Sequence, residues 1–332
     1  MDERTAAILR SVVEEYIETA QPVGSGHVAR TSGLAVSPAT VRNEMTALEQ
    51  EGFLHQPHTS AGRIPTDKGY RSFVDGLVEP GMLGAGQRQQ VQRFFTSAHG
   101  ALEEMLQDTS RLLSSLTDYA AVVVGPAHEE AGIRSVQLVG LGPRTALVVA
   151  VLANGAVEKA TVDLADELGD AHIAAATAHL AGSLMGRSLA DLPAVASSGD
   201  VVLDDVCSAA VAALGAAHDS EPDQVYVGGA AKVAAAFDAV ESVRRVLATL
   251  EQQYVVVTLL RDVVDRGLSV AIGTEHGLEP LSECSLIVAP YEIEGEQVGT
   301  VGVLGPTRMH YPEALAAVAL VSRRLGKRLS EG

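Results

Sequence analysis

Three basic side chains, Arg63, Lys68 and Arg71, stand in the stretch HQPHTSAGRIPTDKGYRSF, residues 55–73, against a single acid, Asp67. Cations held at set positions among Gly and Pro suit phosphate contact, because they displace the counterions of a nucleic-acid backbone. The tip His58, Thr59 and Ser60, leading into Gly62 and Arg63, is what such a segment would lay along a backbone or into a minor groove. Just upstream, SPATVRNEMTALEQEG, residues 37–52, offers a second kind of contact. Asn43 can hold adenine through N6 and N7, Thr40 and Thr46 can bond a base edge or touch a thymine methyl, and Arg42 can fork onto guanine. Ser37, at a helix start, can take a phosphate. A solvated helix face and a solvated loop have the same composition, so residue types alone leave both readings open.

Presenting these residues requires a helix and a hairpin. Ile8, Leu9, Val12, Val13, Tyr16 and Ile17 recur at the spacing of an amphipathic helix over residues 4–18, which must stop before Pro22. A short helix fits residues 25–30, with Gly33 supplying the turn after it. The third helix has Ser37 as its N-cap, Pro38 in its first position and Gly52 just past its end. On a wheel of about 100° per residue, Val41, Met45 and Leu48 share one side. Ala39, Thr40, Asn43 and Thr46 fall on the other, with Arg42 on the flank. Residues 53–56 and the segment from Ile64 are predicted as two strands of a hairpin, and residues 70–78 as a helix leading out. Three helices followed by a hairpin is the order of a winged helix-turn-helix.

Composition limits the rest. A chain of 332 residues, 47% hydrophobic, has room for two or three domains with real cores. Its net charge of −18 excludes coating nucleic acid through the bulk field. Residues 1–80 themselves hold seven basic and eleven acidic side chains, so binding must come from placement of particular residues. No apolar run reaches the roughly 18 residues of a membrane span and the N-terminus is charged, so a cytoplasmic location without membrane contact is expected. Cys207 and Cys284 are isolated, which suits a reducing compartment and burial as small apolar side chains. His55 and His58 have no further ligand at zinc spacing, and GLGPR, residues 140–144, lacks the third glycine of a dinucleotide loop. Neither catalysis nor a cofactor or metal is expected.

Along the chain, EPGMLGAG, residues 79–86, reads as a linker closing a first unit of residues 1–78. A helical pattern runs from Leu102 to Leu116. AAVVVG, IRSVQLVGL, TALVVAVLA and AVEKATVDL then read as a meander of strands. Residues 165–249 turn Ala-rich and helical, apart from QVYVG. Strand signals return at LSVAIG, SLIVAPYEI and QVGTVGVLG before a terminal helix from Tyr311. This order predicts an α+β domain over residues 87–164 and 250–332, interrupted by a mainly helical insertion over 165–249. RRLGKR, residues 323–328, puts cations where a helix dipole favours them.

PVGS, VSPATVRNEMTALEQEG and QPHTSAGRIPTDKGYRSFVDGL closely resemble the N-terminal part of the HrcA family of heat-inducible repressors. LSVAIGTEHGLEPLSECSLIVAPY and VGVLGPTRMHY resemble its C-terminal signatures. The likeness is strong over residues 4–78 and 268–311 and weak in the Ala-rich middle. Gly26 stands where relatives commonly have a basic residue, and His276 where Asn is usual. The resemblance implies a homodimer with a winged-helix domain, a GAF-like domain and a dimerising insertion within it. It further implies an inverted-repeat operator on double-stranded DNA upstream of chaperone operons, and a GroEL-type chaperonin that keeps the repressor active. A small molecule held in the GAF-like domain is the alternative effector. The DNA contacts expected are Ser37, Thr40, Arg42, Asn43, Thr46, His58, Thr59, Ser60, Arg63, Lys68 and Arg71.

Overall fold

The computed structural model describes every residue except 60, 78–80, 98–101, 127–131, 154–155, 165–166, 221–223, 238–239, 265–267, 294 and 332. The chain opens with α1 (Glu3–Thr19), α2 (Ser25–Thr31) and α3 (Pro38–Gln50), followed by the antiparallel pair β1 (Leu54–His55) and β2 (Ile64–Pro65) and by α4 (Asp67–Asp75). Local signals account for these boundaries. Asp2 caps α1 by accepting from the Thr5 amide at 2.7 Å. Ser37 caps α3 by accepting from the Thr40 amide at 3.1 Å, and Gly52 turns the chain out of α3 at φ +78°. Val41, Met45 and Leu48 are fully buried, so α3 buries the face that its apolar spacing marks. Val23 pairs with Arg63 through two backbone bonds of 2.9 Å, which adds a third short segment to the hairpin. Gly62 makes that approach possible: a Cβ there would stand 2.4 Å from the Val23 carbonyl oxygen.

After α5 (Ala85–Ser97) and α6 (Leu102–Thr117), β3 (Ala120–Val124) enters a five-stranded antiparallel sheet of order β7-β3-β10-β9-β8. Its other strands are β7 (Val225–Gly228), β8 (Ser269–Ile272), β9 (Cys284–Ile293) and β10 (Glu296–Pro306). All five residues of β3 are buried, because the sheet is covered on both faces. Ala121, Val123, Ile287, Val301 and Val303 point into a core shared with α6 and the terminal helix α12 (Tyr311–Glu331). Ala120, Val122, Leu286, Val288 and Leu304 face α10 (Val240–Glu251) and α11 (Gln253–Val264).

The next three strands pair only among themselves: β4 (Ile133–Gly142), β5 (Thr145–Leu152) and β6 (Val157–Asp163). They pack on α7 (Asp170–Leu184) and α8 (Val201–Ser220) around a separate apolar cluster that includes Leu138, Val148, Leu180 and Leu214. The meander expected from the sequence therefore breaks after β3. Residues 133–163, expected in the interrupted α+β domain, join the two helices of the insertion. Residues 225–249, expected in the insertion, return to the five-stranded sheet through β7, α9 (Ala230–Ala236) and α10, and α11 packs on the same side. Apolar β-branched runs identify strands but carry no record of their partners. Gly140 and Gly142 sit at the β4–β5 hairpin.

The segment read as a linker is anchored where it is described. Leu83 is buried, and a Cβ on Gly81 would stand 2.7 Å from the Pro312 carbonyl oxygen. One apolar cluster runs from Ile8 and Val41 through Phe73 and Leu83 to Tyr311 and Leu325. Cys207 and Cys284 are both buried free thiols, and burial, reinforced by Glu283, pushes Cys284 up to about 12.

Candidate nucleic-acid interface

The N-terminal half of α3 is built to face outward. With Val41, Met45 and Leu48 locked in the core, Arg42 and Asn43 stand exposed and Thr40 is half-buried beside them. Ser37 and Thr40 share a hydroxyl hydrogen bond of 2.9 Å, so both polar groups sit at the helix start with the partial positive charge of its dipole. Glu44, the acid next to Asn43, is occupied by Arg4 at 2.6 Å and by the Thr5 hydroxyl at 2.8 Å. Those bonds tie α1 to α3 and offset a charge that would repel an anion approaching the face. At the hairpin tip His58 and Thr59 are exposed, and Ser60 lies outside the described residues.

The basic run has different partners from those its composition suggests. Arg63 is 13% exposed; its Nε donates to Glu49 at 3.0 Å and its terminal nitrogen donates to Thr46 Oγ1 at 2.9 Å. Thr46 Oγ1 in turn donates to the Arg42 carbonyl at 2.9 Å. This guanidinium braces the hairpin against α3, and Thr46 is one of its supports. Lys68 donates to the Glu51 carbonyl at 2.7 Å, at the C-terminal end of α3, and lies 4.2 Å from the centre of the Phe53 ring. Arg71 points away from the hairpin altogether. Its Nε donates to Glu275 at 2.9 Å, a terminal nitrogen reaches the other Glu275 oxygen, and the same nitrogen donates to the Val270 carbonyl at 2.6 Å.

Sequence reasoning missed Glu49 and Glu275 as the partners of these cations, since one lies 14 residues and the other 204 residues from its arginine. The one signal available for the second pair was that both stretches carry the family motifs. Burial alone would raise the Glu275 carboxyl, yet the Arg71 guanidinium and the Ile272 amide outweigh it and hold it below the ordinary glutamate value. His276 closes its own loop: Nε2 lies 2.9 Å from the Leu281 carbonyl, and Nδ1 accepts from the Leu278 amide at 3.3 Å.

Among the described residues no helix is long and apolar enough to cross a membrane. The family profile of the HrcA protein C terminal domain matches residues 103–315. A heat-inducible transcription repressor of Pseudarthrobacter chlorophenolicus is 40% identical over 98% of each chain. Another from Streptomyces avermitilis is 36% identical, covering 100% of this chain and 99% of its own. A crystal structure described only as that of a hypothetical protein superposes over 100% of this chain and 98% of its own with a TM-score of 0.64. At 22% identity that likeness speaks to the fold. The relatives define a class of transcription repressors, regulatory rather than catalytic. The chain belongs to the HrcA family, the heat-inducible repressors of that class.

Proposed function

We propose that this protein is a cytoplasmic, dimeric winged-helix repressor of chaperone operons that reads an inverted-repeat operator on double-stranded DNA. The observation that carries the reading is the N-terminal face of α3: exposed Arg42 and Asn43, with Ser37 and Thr40, on a helix whose opposite side is fully buried. Asn43 and Arg42 are the base readers, Ser37 and Thr40 hold phosphate at the helix start, and His58 and Thr59 follow the backbone from the hairpin tip. Arg63, Lys68 and Thr46 serve by holding that geometry. The six contacts of one half-site are few, and a two-fold dimer doubles them.

The outer face of the β4–β5–β6 sheet supports the dimer. Val139, Leu141 and Val157 are 40%, 59% and 45% exposed, and Leu147, Val149 and Val151 lie half-buried on that side. A second copy would cover this apolar face. The body around the five-stranded sheet is the GAF-like domain of this reading, and the sheet with α7 and α8 is its insertion. A GroEL-type chaperonin as the activating partner follows from the family resemblance.

The test is fluorescence anisotropy on an inverted-repeat duplex and a scrambled duplex across a salt series, with and without chaperonin. A salt-dependent preference for the inverted repeat, strengthened by chaperonin, is expected. Equal weak binding to both duplexes under every condition would refute the reading.

A further inference from the structure

We propose that Asp67, Arg71 and Glu275 are positioning residues that set the angle of the α3 unit on the body, and thereby the half-site spacing the repressor accepts. The proposal rests on the DNA reading above and adds what that reading lacks, a physical determinant of spacing.

Helix α4 is joined firmly at both ends. On the side of the reading unit, Thr66 caps α4 and its hydroxyl donates to the Gly52 and Phe53 carbonyls at 2.7 and 3.1 Å. A Cβ on Gly69 would stand 2.3 Å from the Phe53 carbonyl oxygen, so α4 lies directly on the corner between α3 and β1. On the side of the body, Asp67 Oδ2 accepts from the Thr274 amide at 3.1 Å and from its hydroxyl at 3.3 Å. Gly273 adopts φ +56°, and a Cβ there would stand 2.2 Å from that carboxylate. One turn further along α4, Arg71 forks onto Glu275 and reaches the Val270 carbonyl. Between these contacts Tyr70 and Phe73 pack on Tyr311, with ring centroids 6.0 and 6.5 Å apart. Tyr311 is in turn held by Ser285 at 2.7 Å and by the Thr307 carbonyl at 2.6 Å.

The two kinds of contact do different work. The aromatic contact buries area but tolerates rotation, because ring packing is only weakly directional. The carboxylate and guanidinium contacts are directional, since a two-pronged fork fixes an orientation. Arg71 and Glu275 are 30% and 34% exposed, so their pair adds little to global stability and its consequence lies in the angle. That angle matters because the half-sites of a two-fold dimer sit one helical turn, or a multiple of it, apart. A tilt of about 10° over the roughly 20 Å length of α3 displaces its end by about 3.5 Å, close to one base-pair step.

The experiment measures affinity of the full-length dimer for inverted repeats whose spacer is lengthened or shortened one base pair at a time, with a single half-site duplex and a scrambled duplex alongside. Wild type should lose about tenfold or more for one base pair away from its optimum. Glu275→Ala should flatten that profile to within about threefold while single half-site affinity stays at the wild-type level. Glu275→Gln keeps the side-chain size and one acceptor, and should give an intermediate profile even if the Ala variant folds poorly. The exchanged pair Arg71→Glu with Glu275→Arg should recover part of the sharpness. A wild-type profile retained in folded Glu275→Ala, or in Glu275→Gln, would overturn the proposal. So would a flat wild-type profile. No preference of wild type for any inverted repeat over the scrambled duplex would instead overturn the DNA reading, and the proposal with it.

Discussion

The N-terminal half of α3 and the run from Arg63 to Arg71 read alike in the sequence: short, polar and cation-bearing, with few acids nearby. Their surroundings in the fold are opposite. Arg42 and Asn43 are exposed, and the acid next to them, Glu44, is tied to Arg4 and Thr5. Arg63, Lys68 and Arg71 each have a close protein partner, respectively Glu49 with Thr46, the Glu51 carbonyl, and Glu275. A guanidinium is as well suited to a carboxylate as to a phosphate, so its type cannot say which it meets. In this molecule the longer-range charges hold the frame, while the short helix start is left exposed.

Five substitutions or conditions would break or sharpen that contrast. The largest effect is expected from Leu48→Ala, on the buried side of α3: about 2–5 kcal/mol lost in denaturant unfolding, with DNA binding lost along with the fold of the unit. Arg63→Ala should cost about 1.5–3 kcal/mol, since it strips Glu49 and Thr46 of a partly buried partner. Its salt slope should stay at the wild-type value, whereas a true phosphate contact would lower the slope by about 1. A lowered slope with an unchanged melting temperature would return Arg63 to the contact surface.

Asn43→Ala should show the reverse pattern. About 1–3 kcal/mol of discrimination at one base pair should disappear, with the melting temperature unchanged. Equal losses on operator and random duplex would remove Asn43 from base reading. Ser37→Ala should lower stability by about 1 kcal/mol through loss of the α3 cap, measurable by thermal melting.

The smallest effect concerns pH. The folded value of Glu275 is depressed, so its contribution is present above the unfolded glutamate value and is lost as pH falls through the folded one. Melting temperatures of wild type and Glu275→Gln should differ slightly near neutrality and converge in acid. A gap that persisted or widened in acid would contradict the ion pair with Arg71.

Much of the N-terminal unit was legible because its signals are local. Ser37, Pro38 and Gly52 bound α3 within about a residue of expectation, and the Val41, Met45, Leu48 stripe identified its buried side. Gly33 takes the positive φ that its turn position suggested, at +67°, and Gly52, expected just past the end of α3, lies there at +78°. Helix α5 was not legible: it follows glycines that read as a linker, and it is secured by Val91 and Phe95 packing into the core. The sheets were half legible. Each strand was identified, but β3 bonds β10 and β7, while β4, β5 and β6 form a sheet of their own.

What the sequence determined alone follows from interactions within a few residues: caps, turns, helix faces, the strand character of apolar β-branched runs, and through its motifs the HrcA family. What only the tertiary structure decided depends on groups far apart in the chain. These are the partition of strands between two sheets, the anchoring of Leu83, and the assignment of Arg63 and Arg71 to Glu49 and Glu275 rather than to solvent. The physical reason is that a charge or a strand edge has one set of partners available locally and many at long range. Packing of the apolar core selects among them by bringing Asp67 and Arg71 against residues 270–275.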